Sequence, residues 1–288
     1  MKYQFVKAHS WQYRVERMCR LLTLSRSAYY RWLKKPKSRR DVENERIKQE
    51  IRRIYAEGRG EYGTPTVWEA LREGPYRVNR KRVVRLMREM GLYSKVVKKF
   101  KRTTKACKDH LASPNLLKQN FETDGANKVW TSDITFIETP DGWLYLTTVK
   151  DLWSRRIIGY ALTEHLRAEA VLEALEMALS HRRVQPGMIF HSDRGKQYID
   201  HRFRELLAHH SIRQSMSSTG NCYDNAPSES FFATFKKGHL FWHPFQSKEE
   251  ARRRITEYLD VFYNCVRRHS SLGYKSPVVF EIQQAMLA

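Results

Sequence analysis

Val129-Trp130-Thr131-Ser132-Asp133-Ile134-Thr135-Phe136-Ile137 is a run of strand-forming residues broken by one acid. A turn signature, Thr139-Pro140-Asp141-Gly142, follows it, then a second strand pattern over 143–149. Past a turn near Ser154-Arg155, residues 156–162 give a third. These three read as an antiparallel meander. The hydrophobic period then becomes helical over 168–180, where Val171, Leu172, Leu175 and Leu179 recur on one face. Met188-Ile189-Phe190-His191 predicts a short buried strand, 202–209 a helix, 212–216 a strand and 227–237 a helix, with one more helix through 251–263. The order implies an α/β domain with a mixed five-stranded sheet and helices. Order alone leaves several α/β folds open.

The acids narrow the choice. Asp193 follows the fourth strand in His191-Ser192-Asp193-Arg194-Gly195, and Glu229 opens a helix in Asp224-Asn225-Ala226-Pro227-Ser228-Glu229. Sixty positions separate Asp133 from Asp193, and 35 residues lie between Asp193 and Glu229. Lys236, seven positions on, falls on the face of Glu229. Taken singly, each acid is a common structural residue. Gathered at strand, strand end and helix start, three carboxylates repel and raise one another's pKa, a conflict that hard divalent cations resolve with oxygen ligands. Two other acids have ordinary explanations: pairing with Arg155 or Arg156 for Asp151, and capping of the Glu229 helix for Asp224.

Charge divides the chain unevenly. Residues 1–120 hold 32 Lys and Arg against 11 Asp and Glu, whereas 121–288 hold 21 against 20. A half this basic is expected to meet a polyanion, and nucleic acid is the obvious one. Residues 10–35 read as two short helices, with Ser25 capping the second, compatible with a helix-turn-helix. Ile47, Ile51 and Ile54 mark the next helix, which Gly58 closes; Thr64-Pro65 starts another, and Asn79 caps a third. That third helix turns Val83, Leu86 and Met87 inward and Arg80, Lys81, Arg82, Arg85 and Arg88 outward. A basic linker follows, in which Lys98, Lys99, Lys101 and Arg102 are expected to track the phosphate backbone. The resulting division is 1–40, a helix-turn-helix-like unit; 41–92, a second helical DNA-binding unit; 93–120, the linker; and 121–288, a catalytic domain with a helical extension. Four scattered cysteines (Cys19, Cys107, Cys222, Cys265) predict reduced and mostly buried thiols. No stretch has the apolar length of a membrane span or a signal peptide, so a cytoplasmic, nucleoid-associated protein is expected.

Trp130-Thr131-Ser132-Asp133-Ile134-Thr135, His191-Ser192-Asp193-Arg194-Gly195, Asp224-Asn225-Ala226 with Glu229, Lys236, and Tyr263-Asn264 with Arg268-His269-Ser270-Ser271-Leu272 stand in this order. In that order they resemble the DDE transposase and retroviral-integrase superfamily, most closely the larger (OrfB) protein of bacterial insertion sequences. The resemblance runs from near Met1 to about Glu281. It implies an RNase H-like catalytic domain behind all-α helix-turn-helix-like units. Asp133, Asp193 and Glu229 become the catalytic, metal-binding triad, with two Mg²⁺ per site and Mn²⁺ possible in their place. Water attacks a phosphodiester at an element end, and the freed 3′-OH then attacks target DNA. Lys236 is expected on substrate phosphate, His191 and Arg194 orient Asp193 or contact DNA, and Asn225 shapes the turn before the helix. The late segment 263–274 is expected to touch DNA beside the site or simply to pack. Implied partners are element-end and target DNA, further copies of the chain on that DNA, and a smaller companion protein (OrfA) joined by frameshifting. The competing readings are a DNA-binding regulator with an idle RNase H-like domain and a nuclease that cuts without joining.

Overall fold

A computed structural model describes residues 2–34, 38–96, 113–218, 222–242 and 244–287. Lys98, Lys99, Lys101 and Arg102 lie outside the described residues. The chain forms two compact units, 1–50 and 51–288.

The first unit contains three helices, α1 (Lys2–His9), α2 (Val15–Leu21) and α3 (Arg26–Lys34), and the start of α4 (Arg39–Glu57). Val6, Met18, Cys19 and Tyr29 form its small core, and Tyr3 stacks on Trp32 at 5.5 Å. The Ser25 hydroxyl accepts from the Ala28 amide at 3.3 Å, the expected cap. Helix α1 is an addition to the sequence reading, and Leu21 at the end of α2 is exposed.

In the second unit, Ile51 and Ile54 of α4 are buried, as are Val67 and Leu71 of α5 (Thr64–Glu73). Helix α6 (Arg80–Glu89) buries Val83, Leu86 and Met87, and Asn79 caps it by accepting the Lys81 amide at 2.8 Å. This helical segment docks on the sheet domain. The Tyr62 hydroxyl donates to the Val266 carbonyl and accepts the Arg268 amide, both at 3.1 Å. Glu61 pairs with Arg267 at 3.0 Å, and Arg268 with Glu73 at 2.6 Å.

Five strands make the sheet: β1 (Val129–Thr139), β2 (Gly142–Asp151), β3 (Ile157–Thr163), β4 (Ile189–Ser192) and β5 (Arg213–Met216), in the order β3-β2-β1-β4-β5. The first three are antiparallel, while β4 runs parallel to β1 and β5 parallel to β4. On one face Trp130, Phe190 and Met216 pack with α7 (Ala168–His181) and α8 (His201–His209). On the other, Leu144 and Leu146 meet Phe231 and Phe235 of α9 (Ala226–Phe235) and Ile255 of α10 (Lys248–Glu257). Helix α7 crosses β3 so closely that a Cβ on Gly159 would stand 2.2 Å from the Ala174 carbonyl oxygen. Only glycine fits there.

Three features depart from the sequence reading. Helices α9 and α10 each run on into a π-helical stretch, Lys236–Leu240 and Tyr258–Val266. Helix α11 (Pro277–Leu287), unread in the sequence, packs Phe280 on Trp153 at 4.9 Å. Residues 113–119, read as the end of the linker, are instead laid along β5. There Ser113 donates to Gln214 Oε1 at 2.8 Å and the Leu116 amide to Ser215 Oγ at 2.9 Å.

Candidate active site

Strand pairing sets the first two acids side by side. The β1–β4 ladder pairs Val129 with Ile189, Trp130 with Phe190 and Thr131 with His191, then stops. Two residues further, the same register brings Asp133 level with Asp193, the first residue past β4. With a side-chain period of two, each keeps the side of Thr131 and His191. Glu229 arrives from the first turn of α9, where the helix dipole favours a carboxylate.

The electrostatics of the three acids agree with that placement. The Asp133 carboxyl is pushed well above the usual range, first by burial and then by Asp193, with Glu229 adding to it. The Ile134 amide at 2.8 Å and Lys150 pull the other way. Asp193 is raised by burial, opposed by the Gly195 amide at 3.0 Å, and Glu229 is raised by lost hydration and then by Asp193. Among the described residues, no three carboxylate, histidine or cysteine side chains lie close enough to share one metal ion. The donor set is still all oxygen, carries excess negative charge and is raised in pKa by it, which fits a hard divalent cation.

Two lysines border the acids. Lys236 is half-buried, its pKa lowered by burial and opposed by Asp133. Lys150 was not among the sequence candidates, since the second strand pattern ended one residue short of it. It is buried, donates to the Pro227 carbonyl, and is held at about 7 by burial and by Arg155 against the attraction of Asp133. A lysine continuing a strand beyond Thr147-Thr148-Val149 was the available signal.

The remaining candidates take different positions. His191 is fully buried, and both ring nitrogens are engaged within the fold. Its ring joins Ser215 Oγ at 2.8 Å and the Asp224 carbonyl at 2.9 Å, tying β4 to β5 and to the turn before α9, and burial keeps it neutral. Half-buried Arg194 donates through Nε to the Ser217 carbonyl at 2.8 Å. Asn225 is buried at the head of α9, with Nδ2 3.5 Å from the Ser132 carbonyl and Oδ1 without a partner. Asp224 does not cap α9. Its carboxylate accepts from Asn115 at 2.9 Å, Gln119 at 3.0 Å and the Ser218 amide at 2.8 Å. Nor is Asp151 paired with Arg156, which bonds Glu281 at 2.7 Å; Asp151 accepts the Asn127 and Trp153 amides at 2.8 and 2.9 Å. In both places the partners come from parts of the chain that local spacing does not reveal: side chains of Asn115 and Gln119 with one backbone amide for Asp224, and backbone amides for Asp151. Arg80, Lys81, Arg85 and Arg88 are exposed on α6 and Arg82 is half-buried, with Arg85 paired to Glu89 at 2.6 Å. Cys265 is exposed, against expectation, while Cys19 is buried.

Residues 123–222 and 210–277 match family models described as integrase core domain, and 42–100 one described as HTH-like domain. The chain is 36% identical over 283 residues to transposase InsF for insertion sequence IS3A of Escherichia coli (strain K12), covering 98% of both. It is 40% identical over 271 residues to the insertion element IS600 uncharacterized 31 kDa protein of Shigella sonnei, covering 94% of this chain and 100% of that one. The chain belongs to the insertion-sequence transposase family. Lower similarity extends to the HTLV-2 integrase catalytic core domain in complex with magnesium, at 15% identity and TM-score 0.40, over 53% of this chain and 94% of that one. The catalytic domain of Mos1 mariner transposase is similar at 20% identity and TM-score 0.39, over 47% and 71%. The fold of this transposase is that of an integrase-type, RNase H-like domain preceded by an HTH-like helical region. An idle domain in a DNA-binding regulator is not favoured. No helix among the described residues is long and apolar enough to cross a membrane.

Proposed function

We propose that this DDE transposase cleaves and joins DNA strands at Asp133, Asp193 and Glu229, which hold two divalent cations, Mg²⁺ or Mn²⁺. The observation that carries the assignment is the β1–β4 register that sets Asp133 level with Asp193, with Glu229 close enough to raise Asp133 and to be raised by Asp193. Bound there, the cations supply polarisation of the scissile phosphate and charge stabilisation of the attacking and leaving oxygens. Asp133 and Asp193 fix the cations to the rigid end of the β1–β4 pair, and Glu229 closes the site from α9. Lys236 meets the incoming phosphate from the same helix, and Arg194, anchored through Nε, orients the loop that carries Asp193. Asn225 holds the head of α9 against β1.

Double-stranded DNA of the element ends and of the target is the substrate. The helical units at 1–40 and 41–92 read it, the latter through Arg80, Lys81, Arg82, Arg85 and Arg88, ahead of a linker over 93–120 and the catalytic domain over 121–288. Lys98, Lys99, Lys101 and Arg102 extend the basic track. Several copies act together on paired ends, with a smaller companion protein (OrfA) fused by frameshifting. The whole takes place in the cytoplasm, on the nucleoid.

The test is a joining assay with labelled element-end DNA and a target plasmid, in Mg²⁺ or EDTA, with wild type beside Asp193→Asn. Metal-dependent joined product from wild type alone is expected. Equal joining by Asp193→Asn would sink the assignment. Nicking without joining would favour a nuclease.

A further inference from the structure

A second polar cavity, of about 400 Å³, lies on another face of α9, lined by Pro227, Ser230, Phe231 and Thr234 of that helix. Its other walls are Tyr62 and Thr66 beside α5, Lys150 and Arg155 around the β2–β3 turn, and the segment Arg267–Ser271. Four cations meet there with one carboxylate, Glu61. Pairing accounts for two of them: Arg267 with Glu61 at 3.0 Å and Arg268 with Glu73 at 2.6 Å. Lys150 and Arg155 remain without an ion-pair partner among the described residues.

Three independent features indicate that something anionic completes this pocket. Arg155 sits at φ 61°, a left-handed conformation that non-glycine residues rarely adopt, and its side chain lines the cavity. The buried Nε of Arg267 and Nε2 of His269 have no hydrogen-bond partner, and both residues line the cavity. Positive charge also accumulates there: Arg155 adds to the burial that lowers Lys150, and His269 is driven down to about 3 by burial, then by Arg267, Lys150 and Arg155. Unmet donors and uncompensated positive charge around hydroxyls make a phosphate-type site. Lys150, which also feels Asp133, links the pocket to the acids.

We propose that this cavity seats a backbone phosphate of the substrate DNA, flanking the phosphate held at the carboxylates, with Arg155 as its main contact. The identity of the substrate rests on the transposase reading above; the anion site rests on the cavity itself. A phosphodiester group is small enough for the space, and the hydroxyls of Ser230, Thr234, Ser270 and Ser271 surround its oxygens with neutral donors. Holding a second phosphate of one strand fixes that strand's direction across α9, which a single contact at the acids cannot do.

The test uses the full chain and duplex DNA ending in the terminal sequence of the encoding element, without metal, as wild type, Arg155→Gln and Arg155→Lys. Neutral methylphosphonate linkages are placed one at a time along each strand. Arg155→Gln is expected to bind roughly ten-fold more weakly. Its log–log salt slope should be shallower by about one. One methylphosphonate position that weakens wild type should have no further effect in Arg155→Gln, and Arg155→Lys should recover part of the loss. Thermal melting of the variants checks that they fold. Additive effects at every position would overturn the proposal. So would millimolar inorganic phosphate binding to wild type but not to Arg155→Gln with no such position, since the pocket would then serve a free anion. Joining with Mg²⁺ is scored on the same preparations. Arg155-dependent interference in a protein that never joins DNA, even with the companion protein supplied, would keep the pocket and remove the catalytic reading.

Discussion

Two faces of one helix carry opposite burdens. On one face, α9 brings its own Glu229 to Asp133 and Asp193, three carboxyls whose pKa values are all raised; on the face of Ser230 and Thr234 it meets Lys150, Arg155 and His269, whose pKa values are all lowered. Each cluster is unfavourable by itself, because like charges have been brought together and partly removed from water. They differ in how the chain relieves them. The cations are partly answered from within, by Glu61 and Glu73, whereas Asp133 is answered by the charges of Lys150 and Lys236. The contrast suits a nucleic-acid enzyme: one face awaits cations, the other awaits the phosphates that travel with them.

The comparison fails if the acids are not the reactive face. Single Asp133→Ala, Asp193→Ala or Glu229→Ala substitutions should lower strand cleavage by roughly 10³-fold or more while DNA binding persists. A gel assay with labelled ends measures both, and near-normal cleavage by any of the three would break the comparison at its stronger side.

A smaller effect distinguishes the cationic face by its pH response. His269 titrates at about 3 in the folded chain against an ordinary 6.5, so the unfolded chain takes up the proton first as pH falls. The folded protein therefore loses stability between about pH 6.5 and pH 3. His269→Gln should remove that loss, retaining about 2 kcal/mol more than wild type at pH 4 relative to pH 7, by denaturant midpoints.

The acidic face should respond in the opposite direction. Its carboxyls have folded pKa values above their unfolded ones, so the metal-free protein loses stability as pH rises from the unfolded through the folded value. Asp133→Asn should raise the melting temperature of metal-free protein at pH 7 by a few degrees, an advantage of about 1 kcal/mol that vanishes near pH 3. A lower melting temperature at pH 7 would mean that the acids are not in conflict. The smallest effect belongs to neither face. Arg85→Ala breaks only the exposed pair with Glu89, so stability should change by less than about 0.5 kcal/mol, while the salt slope of DNA binding falls by about one.

Much of this architecture was legible because it rests on local pattern. Alternating strand residues, the Thr139-Pro140-Asp141-Gly142 turn and the Asn79 cap each act over a few residues, and the structure reproduces them. The five-stranded mixed sheet followed from the order of those elements. Hidden were the features decided at a distance. Asp224 is claimed by Asn115 and Gln119, more than a hundred positions away, and Asp151 by the Asn127 amide. Sequence shows Lys150 as a lysine continuing a strand pattern; its place between Asp133 and Arg155 is created by sheet register and by α9 closing over it. Helices α1 and α11 escaped for another reason. Val279, Ile282 and Met286 of α11 remain exposed, and α1 buries only Val6, so neither shows a clean apolar stripe.

The short parallel ladder of β1 and β4 sets a rule for how this gene can change length. Between Thr139 and Met188 the chain passes through turns, a hairpin and a helix, where an inserted or deleted codon can be absorbed at a bend. Between Phe190 and Asp193 no bend exists. One codon gained or lost there would turn Asp193 to the opposite side of the sheet, away from Asp133, while leaving the hydrophobic strand pairing largely able to form. Such a frame-preserving change would yield a protein that folds, binds DNA and cannot move it.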